Sequence, residues 1–223
     1  MKIIARVKCD FKEKFGIPRQ SGIADGVVGK IVFEKEYRQR EALRGIEGYS
    51  HLWLLWQFSE AISDKFSPTV RPPRLGGNER VGVFATRSPF RPNPIGLSSV
   101  RLLEVREDGE NGAVLIVGGI DLLDGTPIYD IKPYLAYTDS HPEAKGGFAD
   151  SVKDYALPVV LPDELARGID EDTLATVKQL LAHDPRPSYV KDGEREYGFK
   201  FAELEIFFRV EDGVLTVTRI EGI

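Results

Sequence analysis

The chain has 223 residues, of which 42% are hydrophobic and 29% charged, with a formal net charge of −5; this suffices for one large core, or one core with a small appendage. No apolar run is long enough to cross a bilayer: Leu52–Phe58 is short and interrupted by Gln57, and the N-terminal MKIIARVKCDFKEKF lacks a signal-peptide stretch. A single cysteine and three scattered histidines leave no disulfide framework and make a metal centre unexpected, so a cytoplasmic protein without a metal or a membrane partner is expected.

Ile3–Lys8 alternates apolar and polar residues, the period of a half-exposed strand. Asp10–Gly26, with FGIPRQSG, reads as a loop and Val27–Phe33 as a second strand. The charged segment Glu34–Gly48 predicts a short helix over Tyr37–Arg44. His51–Phe58 (HLWLLWQF) reads as a buried central strand, with His51 a satisfied core histidine. Trp53 and Trp56, three apart, fall on opposite faces of that strand, one in the core and one at an interface. Ser67–Gly77 reads as an irregular loop, and Val81–Ala85, Leu97–Arg106 and Ala113–Ile120 as strands, with a polar turn at Glu107–Gly112. Ile128–Tyr134 predicts a further short strand. Many short strands without intervening helices exclude a βαβ pattern and predict an antiparallel sheet closed into a barrel.

Beyond a polar linker at Thr138–Leu157, Pro162–Ala182 predicts a helix with Leu165, Ile169, Leu174, Val177, Leu180 and Leu181 on one face. DPRPSY (184–189) stops it, and Phe199–Val210 and Val214–Ile220 predict a hairpin across Glu211-Asp212-Gly213. The expected fold is mainly β: a single antiparallel-sheet barrel domain at residues 1–140 and a small C-terminal α+β domain at 141–223.

The most informative segment is FATRSPFRPNPIGLSSV (84–100). Pro89, Pro92 and Pro94 stiffen a loop that carries Arg87 and Arg91. Between Arg71 and Arg101 stand six arginines and one acid, Glu79, in an otherwise acidic chain. That stretch is either a solvated loop balanced by nearby acids or a surface for an anionic, nucleotide-like ligand. Three further segments can build a site: IPRQSG (17–22), GIDLLDGTPIYDIKPY (119–134) and DPRPSY. Asp121 and Asp124 flank a turn closed by Gly125; the pair either accepts hydrogen bonds from a ribose or amino group, or merely marks a hairpin. Lys132 can meet phosphate and Tyr134 can stack on a base. There is no GxGxxG after a strand, no P-loop, no GxSxG and no HExxH. Asn93-Pro94 continues as Ile-Gly, which fails the Asp/Asn-Pro-Pro-aromatic motif of doubly wound amino-group methyltransferases.

Taken together, FKEKFGIPRQSG, RGIEGYSHLWLLW, SPTVRPPRLGGNERVGVFATRSPFRPNPIGLSSV, DLLDGTPIYDIKPYL and DPRPSY resemble the TsaA-like or TrmO family over nearly the whole chain. The resemblance implies a β-barrel, S-adenosylmethionine-dependent tRNA methyltransferase. Its substrate would be N6 of a threonylcarbamoylated adenosine at position 37 of threonine tRNA, and it would work as a homodimer. By position, the resemblance places the cofactor on Gln20, Ser21 and Gly22, on Ser59 and Glu60, on Arg87 and Leu97, and on the segment Asp121, Leu122, Leu123 and Asp124. It implies catalytic roles for Asp121, Asp124, Lys132 and Tyr134, an acceptor such as Asp121 or Asp124 turning the amine lone pair toward the methyl. It puts Arg71, Arg74, Arg91, Lys132, Arg186 and Tyr189 on the RNA, whose target base lies in a single-stranded loop. A non-catalytic RNA-binding barrel and an S-adenosylmethionine-sensing module are the alternatives.

Overall fold

The computed structural model describes residues 1–223 apart from 63–64, 76–78, 187–192 and the side chain of Arg74. The alternation of the first residues becomes β1 (Ala5–Cys9), with Ala5, Val7 and Cys9 inward and Arg6 and Lys8 outward. It pairs antiparallel with β2 (Val28–Phe33). β3 (His51–Gln57) buries Leu52, Leu54 and Trp56. Two short strands, β4 (Thr69–Val70) and β5 (Val81–Gly82), form a separate ribbon. β6 (Ile95–Glu107), β7 (Ala113–Gly118) and β8 (Pro127–Pro133) complete a closed barrel of order β1-β2-β7-β6-β3-β8. Every pairing in it is antiparallel, and β8 closes on β1 through Ala5↔Ile128 and Arg6↔Pro127.

After α1 (Ala136–Asp139), a four-stranded sheet of order β10-β11-β12-β9 forms from β9 (Val159–Val160), β10 (Tyr197–Phe201), β11 (Leu204–Glu211) and β12 (Val214–Gly222). Two helices, α2 (Asp163–Ala166) and α3 (Glu171–Ala182), precede its meander. Asp170 caps α3 by accepting the Thr173 N–H at 2.9 Å, and Val177, Leu180 and Leu181 are its buried apolar residues.

Several expectations change. The helix expected over Pro162–Ala182 is broken at Gly168, whose φ of +83° no helix accommodates. The strand expected over Phe199–Val210 folds back at Ala202, so the hairpin is a three-stranded meander. The helix expected over Tyr37–Arg44 is a pair of 3-10 turns, Lys35–Tyr37 and Arg40–Leu43. Val81–Ala85 is strand only as far as Gly82, and Val83–Ala85 is a 3-10 turn. His51 is exposed rather than buried, because Leu52, Leu54 and Trp56 claim the inward phase of β3.

The barrel and the C-terminal sheet share one continuous apolar core. The long β1–β2 loop joins them: Phe11 packs on Phe201 with ring centroids 5.5 Å apart, and Phe15 stacks on Tyr197 at 6.3 Å and Phe208 at 6.5 Å. A Cβ at Gly16 would lie 2.5 Å from the Phe199 ring, so only glycine allows this approach.

Candidate functional site

Strand direction brings the β1–β2 loop, the β7–β8 segment and the arginine–proline loop before β6 to one end of the barrel. The Gly22 N–H donates to the Gly119 carbonyl at 2.8 Å, joining the first two. Gly119 sits at φ +71°, and a Cβ there would meet the Gly22 backbone at 3.2 Å, so this seam needs glycine. Arg87 reaches across from the third segment and donates to Gln20 Oε1. Asp121 continues the β7 line beside Ser98 of β6, whose hydroxyl donates to Asp121 Oδ1 at 2.6 Å. The same hydroxyl oxygen accepts Trp56 Nε1–H at 2.9 Å. An indole is a donor only, so the direction of the relay is fixed: Trp56 to Ser98 to Asp121.

Asp121 is the electrostatic centre of this end. Burial pushes its pKa up from 3.8 to about 6. The Ser98 hydroxyl, the backbone N–H groups of Asp121 and Ser21, and the charge of Arg87 act in the opposite direction. A carboxylate poised near neutrality, facing an exposed arginine, can accept hydrogen bonds and exchange a proton under ordinary conditions.

The other expected residues divide. Ser59 and Glu60 follow β3 at this end, and Glu60 pairs with Lys14 of the β1–β2 loop at 2.9 Å. Leu97 lies on the outer face of β6, 54% exposed, while its neighbour Ser98 points inward. Leu122 is fully buried, and Leu123 is half-buried with its carbonyl accepting the Thr126 hydroxyl at 2.6 Å. Asp124 turns away from Asp121: it accepts the Cys9 N–H at 3.0 Å and pairs with Lys12 at 2.9 Å. These contacts outweigh its partial burial and hold its carboxyl below the ordinary range. Lys132 and Tyr134 fall at the opposite end, because β8 runs away from the site and Lys132 lies about 17 Å along it from Pro127. There Lys132 pairs with Asp130 at 3.0 Å, and the Tyr134 ring packs 5.4 Å from that of Trp53.

Of the basic residues, Arg71 is exposed. Arg91 is turned back on its own loop, donating to the Thr86 carbonyl at 2.9 Å and the Ser88 carbonyl at 3.2 Å. Arg186 is fixed by Asp184 at 2.8 and 3.1 Å, with both side chains largely buried. Tyr155 donates its hydroxyl to the same carboxylate at 3.0 Å. The side chain of Arg74 and the whole of Tyr189 lie outside the described residues. Among the described residues no group of three metal-binding side chains exists.

Sequence reasoning missed three participants. Ser98 and Trp56 were legible as inward positions of alternating strands, but not as a relay. Arg19, beside Gln20, belongs to no motif of its own, yet it donates to the main-chain carbonyls of Asp184 at 3.4 Å and Arg186 at 2.9 Å.

Comparison with known proteins gives a consistent result. The family model of the tRNA-methyltransferase O N-terminal domain matches residues 6–140, and that of the TrmO C-terminal domain matches residues 161–223. The tRNA (adenine(37)-N6)-methyltransferase of Escherichia coli (strain K12) is 40% identical over 227 residues, covering 98% of this chain and 96% of that protein. A putative S-adenosylmethionine-dependent methyltransferase, RcsF, of Pseudomonas aeruginosa is 42% identical over 211 residues, covering 91% of this chain and 89% of that protein. The crystal structure of TrmO from Pseudomonas aeruginosa superimposes with a TM-score of 0.75 at 34% identity, covering 99% of this chain and 97% of that one.

Proposed function

The chain belongs to the tRNA-methyltransferase O family, and from that premise we propose that it methylates N6 of adenosine 37 in tRNA, using S-adenosylmethionine. The observation that carries the reading is the meeting of the Gln20–Gly22 loop, Arg87 and the poised Asp121 at one end of the barrel. When bound, the cofactor supplies a methyl group on a positively charged sulfonium, open to in-line displacement.

The residues present fit that group. The Arg87 guanidinium matches a carboxylate, and Asp121 matches an ammonium, a hydroxyl or a positive sulfur nearby. Exposed Leu97 and Ile95 offer apolar surface to a ring. Ser98 occupies one oxygen of Asp121 and orients the carboxylate. The remaining lone pairs can accept from the exocyclic amine of adenine and turn its nitrogen lone pair out of conjugation with the ring. At neutral pH Asp121 is ionised, yet its affinity for a proton suffices to take the one released after transfer.

We propose, more finely, that the substrate is the threonylcarbamoylated adenosine of threonine tRNA. The excess of arginine over acid between Arg71 and Arg101 supports a ligand bearing carboxylate and phosphates. Exposed Arg71, together with Arg74 and Tyr189, is assigned to the RNA, while Arg91 and Arg186 brace segments around the site. Residues 1–140 form the catalytic domain and 141–223 the supporting one. The working unit is a homodimer in the cytoplasm; exposed Phe84 and Phe90 favour a covered face. No described helix is long and apolar enough to cross a membrane.

The test is methyl transfer by the purified chain to threonine tRNA with and without the threonylcarbamoyl group, read by mass spectrometry of the digested nucleosides. The modified tRNA is expected to gain one methyl at adenosine 37. Equal methylation of both tRNAs would remove the threonylcarbamoyl requirement, and methylation of neither would remove the activity.

A further inference from the structure

We propose that Arg19 is a positioning residue through which the C-terminal domain sets the shape of the cofactor loop; the inference rests on the reading that Gln20–Gly22 hold the cofactor. The β1–β2 loop leaves the barrel as a long excursion and would be floppy if tied only at its ends. Its first half is held by Phe11, Phe15 and Gly16 against the C-terminal aromatics. Its second half carries the site residues; its far end packs on α3 at Gly26, and next to the site residues the Arg19 guanidinium ties it to the C-terminal domain, donating to two main-chain carbonyls of the turn 184–186.

That turn is itself rigid. Asp184 adopts a φ of +49°, is 5% exposed, and holds Arg186 in a bidentate pair. The Arg186 N–H also donates to Asp184 Oδ1 at 3.3 Å, and Tyr155 closes the other side of the carboxylate. Arg186 therefore spends its charge on bracing the turn, and the turn presents two carbonyls to Arg19. From Arg19 the linkage is short: Gln20 follows in the chain and accepts from Arg87, which faces Asp121. The Ser21 N–H lies near enough to Asp121 to favour its charged form. An error in the placement of Arg19 thus reaches both cofactor-facing groups through the next two residues.

The test measures KM for S-adenosylmethionine, KM for modified threonine tRNA and kcat, with calorimetric titration of S-adenosylmethionine alone, in wild type, R19A, D184N and R219A. Arg219 lies in the same domain, stacked on Phe207 at 3.8 Å and paired with Glu221, and serves as the control. Loss of a charge-assisted hydrogen bond that is partly transmitted to the loop predicts a rise of about five- to tenfold in cofactor KM and dissociation constant for R19A. D184N keeps a residue type that tolerates positive φ while loosening the Arg186 clamp, and shifts the same constants in the same direction. KM for tRNA stays near wild type in both, any fall in kcat is smaller than the rise in cofactor KM, and R219A matches wild type throughout. If R19A does not fold, the KM pattern of D184N decides. Unchanged cofactor KM in a folded R19A overturns the inference, as does a rise confined to tRNA KM, which would make Arg19 an RNA contact. Wild-type protein giving no heat with S-adenosylmethionine would instead remove the cofactor assignment beneath it.

Discussion

Asp121→Asn separates the cost of the site from its use. The lift of the Asp121 pKa from 3.8 to about 6 means that ionising this carboxyl costs the folded state about 3 kcal/mol above pH 6. The folded pKa is the higher one, so the protonated form is favoured in the folded state. Its stabilisation is complete below about pH 4 and is lost as pH rises through about 6. An asparagine mimics the neutral acid and carries no such cost, although its amide nitrogen replaces an acceptor with a donor. D121N should therefore match wild type near pH 3.5 and exceed it by about 1–3 kcal/mol at pH 7.5 in urea titrations. Methyl transfer by the variant should fall by about a hundredfold or more. In wild type, kcat/KM should decline below pH 6 as the carboxylate is protonated. A D121N protein less stable than wild type at pH 7.5, or a stability difference flat from pH 3.5 to 7.5, would refute the electrostatic reading. Retained activity would refute the chemical one.

Three other substitutions test the remaining assignments. R87A should weaken S-adenosylmethionine about tenfold by calorimetry while lowering the unfolding midpoint only slightly, since the guanidinium is exposed and its bond to Gln20 is screened by solvent. D124N removes the Lys12 pair while its carboxamide oxygen can still accept the Cys9 N–H, and should cost about 1 kcal/mol at pH 7 with kcat intact. Because the Asp124 pKa is depressed, that difference should begin to shrink as pH falls below the ordinary carboxylate pKa and vanish only once pH has passed through the lower folded-state pKa, measured by urea titration. R186A leaves Asp184 buried and short of its partner, so it should destabilise the protein by about 3 kcal/mol and raise cofactor KM more than tRNA KM.

Much of this was readable from residue order because strand alternation is strict. Ala5, Val7 and Cys9, or Leu52, Leu54 and Trp56, declare one inward face, and enough such segments in a row leave few ways to close. His51 shows how the same rule corrects a composition-based reading: an apolar neighbourhood in sequence is not burial when the phase is wrong. Lys132 and Tyr134 follow the Asp121–Gly125 turn closely in sequence, but an extended strand carries them to the far end of the barrel. The break at Gly168 was signalled by the glycine and by the Asp170 cap beyond it, against an apolar stripe that bridged both. What sequence could not supply was distance across the chain: Arg19 meets a turn some 165 positions away, and Ser98 meets Asp121 only because the barrel closes.

The most direct test of where the chemistry resides is hydrogen–deuterium exchange of the full chain with and without saturating S-adenosylmethionine. Protection should rise in peptides spanning residues 17–24, 84–97 and 119–125, while residues 129–137 at the other end of the barrel stay unchanged. Protection appearing around 129–137 instead, or no change in the three site segments, would contradict the account.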